Sequence, residues 1–106
     1  MTYDMVLDAL ADARRRAIFE ALREAPSTVG ELAERQPVSR PAVSQHLKVL
    51  ETAGLVAVTP AGTRRIYRVR REGLADLRRW VEGFWDDVLE SFAADVERRQ
   101  RRDDDG

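Results

Sequence analysis

Apolar residues recur along this chain with two different periods, and the switch between them marks out its elements. From Tyr3 to Ala11 they fall at Met5, Val6, Ala9 and Leu10, which predicts a short amphipathic helix. Asp12 is placed to cap a second helix running to about Glu24, with Ala17, Ile18, Ala21 and Leu22 on one face; Pro26 stops it. Ser27 or Thr28 caps a third, short helix with Val29, Leu32 and Ala33 inward. Thr28 to Glu31 has capping-box spacing, and Pro37 closes the helix after Gln36. For a fourth helix, Ser39 is the N-cap and Pro41 lies in the first turn, where a missing N–H costs nothing. Val43, Leu47 and Leu50 form its inward stripe, and Gly54 sits where a helix ends in a left-handed residue.

After Gly54 the period becomes two. Leu55 to Thr59 predicts a strand, Pro60 to Thr63 a turn, and Arg64 to Arg70 the returning strand. Arg65, Tyr67 and Val69 share one face of that strand; Arg64, Ile66 and Arg68 share the other. A last long helix is expected over about Leu74 to Arg99, with Leu74, Leu77, Trp80, Val81, Phe84, Trp85, Val88, Leu89 and Phe92 along its apolar stripe. That stripe is wider and more aromatic than one terminal helix of a small domain needs, which predicts a second copy of the chain against it. The expected architecture is therefore mainly α with a small β-hairpin: five helices and a two-stranded wing. It forms one domain over residues 1–97, followed by a charged, disordered tail over 98–106.

Composition narrows the function. A hydrophobic fraction of 43% excludes a disordered chain, and no apolar run approaches the roughly 18 residues of a membrane span. The first twelve residues carry three aspartates and no basic residue, unlike an export signal, so the expected location is the cytoplasm. The absence of cysteine removes disulfides, thiol catalysis and cysteine-ligated metals together. The net charge of −1 conceals a segregation. Residues 35–71 hold eight basic side chains against one acid, while both flanks are net acidic. Such a basic centre suits a polyanionic partner.

The fourth helix carries the sharpest chemistry. Opposite its apolar stripe stand Arg40, Ser44, Gln45 and Lys48, long or small donors instead of the acid–base mixture of a solvated face. With the third helix and a tight turn before it, the spacing is that of a helix-turn-helix whose second helix enters the major groove of double-stranded DNA. Gln45 suits adenine and Arg40 guanine, whereas Ser39 and Lys48 suit phosphates. His46, at the edge of the same helix, suits packing or a phosphate hydrogen bond; one histidine without cysteine makes a poor metal site. Arg64, Arg65 and Arg68 follow a glycine turn, which suits contact with the DNA backbone or minor groove. An enzyme is disfavoured: Ser44 and His46, two residues apart on a helix, do not face each other. A winged helix used only for protein contacts is the competing class, and it would lack the steep salt dependence of DNA binding.

The order of elements, with Leu10 to Ile18, Val29 to Ala33, Ser39 to Leu50, Ala53 to Val56 and Gly62 to Tyr67, resembles the ArsR-type winged helix repressors over roughly Leu7 to Phe92. The resemblance implies a homodimer joined by the first and last helices, here through Met5, Leu10, Trp80, Phe84, Trp85, Val88 and Phe92. It implies binding to imperfect palindromic operator DNA and repression, often at the protein's own promoter. It also places a basic run at Arg14 to Arg16, where Arg15 or Arg16 is a candidate phosphate contact or an intramolecular partner of Glu20. Better-known members bind metal through cysteines on the third helix or through Asp and His on the last. Here residues 29–35 have no cysteine and the last helix has no histidine, so the resemblance is to a metal-independent branch, with no cofactor. No feature of the sequence specifies an inducer.

Overall fold

In the computed structural model, residues 2–105 are described; Met1 and Gly106, which end the expected domain and tail, lie outside the described residues. The elements are α1 (Thr2–Ala11), α2 (Ala13–Glu24), α3 (Val29–Arg35), α4 (Arg40–Thr52), β1 (Val56–Ala61), β2 (Arg64–Val69), a 3-10 turn (Arg71–Leu74) and α5 (Ala75–Asp105). They form two units, residues 1–76 and 77–106, so the boundary falls inside the single domain expected over 1–97.

Side chains fix the helix starts of the first unit. Asp12 Oδ1 accepts the Arg15 N–H at 2.9 Å. Thr28 Oγ1 accepts from Glu31 N at 3.2 Å while Glu31 Oε1 accepts from Thr28 N at 2.9 Å, a complete capping box. Ser39 Oγ accepts from Ala42 N at 3.3 Å, with Pro41 in the first turn. The core gathers one stripe from each element: Val6 and Ala9, Ile18 and Leu22, Leu32, then Val43, Leu47 and Leu50, with Leu55, Val56 and Tyr67 from the start of the hairpin and its return. Ser27 is not a cap. It is almost fully buried, its N–H donates to Tyr67 O at 3.0 Å and its carbonyl accepts from Tyr67 N at 2.9 Å, so the residue before the α3 cap extends the sheet by one bridge.

The hairpin is tighter than expected. Ala61 pairs with Arg64, leaving Gly62-Thr63 as the turn, and Pro60 is a strand residue opposite Arg65. In a two-stranded sheet each strand has an open edge, where proline's missing donor costs no ladder bond. The α4–β1 junction is closer still. Gly54 adopts φ +78°, and a Cβ placed on Gly73 would lie 1.9 Å from Gly54 O, so the 3-10 turn passes the end of α4 backbone against backbone.

The second unit is the rest of α5, and here the structure departs from the sequence reading. The helix does not end near Arg99; it continues through Arg98–Asp105, the stretch expected to be a disordered tail. The four arginines and one glutamine of this stretch are good helix formers, and no proline or glycine interrupts it before the last residue. Asp95 also pairs with Arg98 and Arg99, each at 3.3 Å, one helical turn on.

Candidate nucleic-acid interface

Because Val43, Leu47 and Leu50 are fully buried, the helical period turns Ser44, Gln45 and Lys48 outward, and all three are exposed. Ser39 and Arg40 are exposed at the start of the same helix. His46 lies between the two faces and is half-buried. Its neighbour is Asp12, whose carboxyl is held below the usual carboxylate range, first by the hydrogen bond from the Arg15 backbone and then by the Arg15 and His46 charges. Among the described residues no group of three His, Cys, Asp or Glu side chains is arranged to hold a metal ion.

The wing arginines divide. Arg64 and Arg65 share a cleft of about 540 Å³ with Arg40 and with Thr28, Gly30 and Glu34 of the α3 region. Arg65 also borders a second cleft with Ser44 and Lys48. Thus Arg40, Ser44, Lys48, Arg64 and Arg65 converge on one surface. Arg68 does not join them: its guanidinium bonds to Thr59 Oγ1 across the hairpin, and it lines a separate hollow with Arg70 and Arg71. Arg15 is half-buried, its Nε donating to Ala9 O at 2.7 Å while Arg16 donates to Leu10 O at 2.8 Å. These two arginines close the carbonyl end of α1. Arg15 pairs in this way with backbone, and it borders a groove with Lys48, Val49 and Met5.

Sequence reasoning took Gly30 only as part of the family pattern and Glu31 only as a capping-box residue, and gave Glu34 no role at the interface. Glu31 is held below the ordinary carboxylate range by its hydrogen bonds to Thr28 and, further off, by Arg64 and Arg35. The signal was available: a glycine in the first turn of a helix, where alanine is the better helix former.

The apolar side chains assigned to a second copy lie at the surface of their own helices. Met5 of α1 is 46% exposed and Leu10 is half-buried. On α5, Trp80, Phe84, Trp85, Val88 and Phe92 are exposed, joined by Leu89 and Val96. Trp80 stacks on Phe84 and Phe84 meets Trp85 edge-on, each pair at 6.4 Å between centroids.

Comparison with known proteins decides the family. The helix-turn-helix domain family matches residues 10–59. The HTH-type transcriptional regulator Rv2034 of Mycobacterium tuberculosis is 57% identical over 90 residues, spanning 85% of this chain and 84% of that protein. The solved structure of an ArsR-like transcriptional regulator from Rhodococcus sp. RHA1 is 32% identical, with a TM-score of 0.76 over 88% of each chain. The chain belongs to the ArsR-type winged helix-turn-helix transcriptional regulators. A further solved structure, a homodimeric winged helix-turn-helix DNA-binding domain from Mycobacterium bovis, is 30% identical with a TM-score of 0.66, covering 81% of this chain and 80% of that one. This ArsR-type regulator is accordingly a member of a DNA-binding family and not of an enzyme family. Among the described residues no helix is long and apolar enough to cross a membrane.

Proposed function

We propose that this regulator is a homodimeric repressor of the cytoplasm that binds a palindromic operator, often its own promoter, and does so without a metal. The observation that carries the reading is the convergence of Arg40, Ser44, Lys48, Arg64 and Arg65 on one surface beside the exposed Gln45. In this reading α4 enters the major groove, with Gln45 on a base edge and Ser39, His46 and Lys48 at the groove's rim. Arg64 and Arg65 follow the backbone, and Arg68 and Arg15 reinforce the cationic surface from its margins. The second copy covers Met5 and Leu10 of α1 and the Trp80–Phe92 row of α5. The homodimeric M. bovis relative supports the pairing. A two-fold dimer sets the two α4 helices about 34 Å apart, one helical turn of DNA.

The test is a fluorescence-anisotropy titration of the purified protein against its own promoter and a scrambled duplex, at two salt concentrations, with and without zinc. Tight, selective binding that weakens steeply with salt and ignores zinc is the expected result. Equal, weak binding to both duplexes would remove the operator from this promoter, and binding abolished or induced by zinc would end the metal-free reading.

A further inference from the structure

The cleft between α3, the start of α4 and the wing has a floor that local propensity does not explain. Gly30 is the second residue of α3, and its φ lies outside the left-handed range that favours glycine. Alanine would suit such a helix better. What stands where the alanine methyl would go is Arg40. A Cβ on Gly30 would lie 3.1 Å from Arg40 Nη2, 3.3 Å from Cζ and 3.8 Å from Nε, so the guanidinium rests directly on the bare backbone of α3. Arg64 and Arg65 border the same cleft from the wing. Two carboxylates, Glu31 and Glu34, face these three cations, and one oxygen of Glu31 is already committed to the Thr28 N–H.

We propose that this cleft seats one phosphate of the operator backbone between Arg40 and the wing arginines, and that Gly30 is the positioning residue that holds Arg40 there. The proposal rests on the DNA-binding reading above and changes the role that the sequence suggested for Arg40. Guanidinium groups match phosphate oxygens in pairs, and a guanidinium laid against α3 is directed to the strand that passes between helix and wing. Arg40 therefore anchors the backbone instead of reading guanine. A rule broken locally, here glycine in a helix, is expected at sites kept for function.

Operator affinity across a salt series, for wild type, Gly30→Ala, Gly30→Leu, Arg40→Ala and the double variant Gly30→Leu/Arg40→Ala, tests this. Leucine is a good helix former, and thermal melts verify that each variant folds. Gly30→Leu is expected to weaken operator binding about tenfold, Gly30→Ala less, and both to lower the slope of log affinity against log salt by about one. In the Arg40→Ala background, leucine at position 30 should change nothing, because the group it displaces is gone. Arg40→Ala itself should weaken every operator variant alike. Wild-type affinity in Gly30→Leu, or a leucine penalty that persists without Arg40, overturns the proposal while leaving DNA binding intact. So does an Arg40→Ala loss confined to one base pair, which would put Arg40 on guanine. A wild-type protein with no salt-sensitive affinity for either duplex overturns the interface itself, and this cleft with it.

Discussion

Helices α4 and α5 are both amphipathic, yet they have opposite fates. In α4 the apolar positions Val43, Leu47 and Leu50 are wholly inside, and the polar face is left exposed. In α5, 31 residues long, no described side chain is buried, and the aromatic row stands 49–67% exposed from Trp80 to Phe92. The same helical period therefore says only that a face will be covered. The period does not name what covers it. For α4 the neighbours are α1, α2, α3 and β1; for α5 the proposed neighbour is a second copy.

Substitutions on the two stripes sharpen this contrast. Leu47→Ala should cost about 2–5 kcal/mol of folding stability at every protein concentration, the range for a buried leucine replaced in a closed core. Leu89→Ala, at a position 60% exposed, should cost less, and only at concentrations where wild type is paired. Urea unfolding at two protein concentrations separates the cases; equal losses at both sites would erase the distinction. Trp85→Asp sets a charge in the middle of the exposed row. The expected product is a folded monomer by light scattering, with operator affinity lost; a stable dimer would refute the proposed interface.

On the polar face of α4 the expected effects are smaller. Gln45→Ala should flatten the preference at one base pair by about 1–3 kcal/mol while leaving the others intact. An unchanged ranking of operator variants would move base reading to another residue. Smaller still is Thr28→Ala, which removes the capping box of α3 and should cost about 1 kcal/mol in a thermal melt. The caps of α2 and α3 also carry a pH effect. Asp12 and Glu31 titrate lower in the folded chain than in the unfolded one. Each therefore adds stability above the ordinary carboxylate range, and that stability disappears as the pH falls through the lowered folded values. In Thr28→Ala the Glu31 share of this acid sensitivity should shrink, because Thr28 is its largest cause.

The fold was largely legible because its punctuation is local. Asp12, Thr28 and Ser39 cap the helices assigned to them, Pro26 and Pro37 end two, and Gly54 takes the left-handed position. Errors arose where a neighbour distant in sequence decides. Ser27 stands as an alternative cap to Thr28 until Tyr67 pairs with it, and Pro60 reads as a turn until the hairpin offers an open edge. The charged end of α5 reads as disordered if charge alone is weighed, yet helix propensity and the Asp95 pairs favour continuation. The outward residues of α4 followed from the period. That Arg40 leans on Gly30, that Arg68 is tied to Thr59, and that Arg15 closes α1 depended on where long side chains find partners, which spacing does not encode.

The backbone contact between Gly73 and Gly54 has a consequence for how such a chain tolerates mutation. Since even a methyl at position 73 would overlap the Gly54 carbonyl, that site admits one residue whatever the protein is asked to do. On the proposal that Gly30 serves to position Arg40, position 30 should admit others as long as only folding is selected. A saturation library sorted first for abundance and then for operator occupancy should lose every substitution at 73 in the first sort and those at 30 only in the second, so that two glycines, both intolerant in a single screen for activity, separate into one that the architecture requires and one that the task requires.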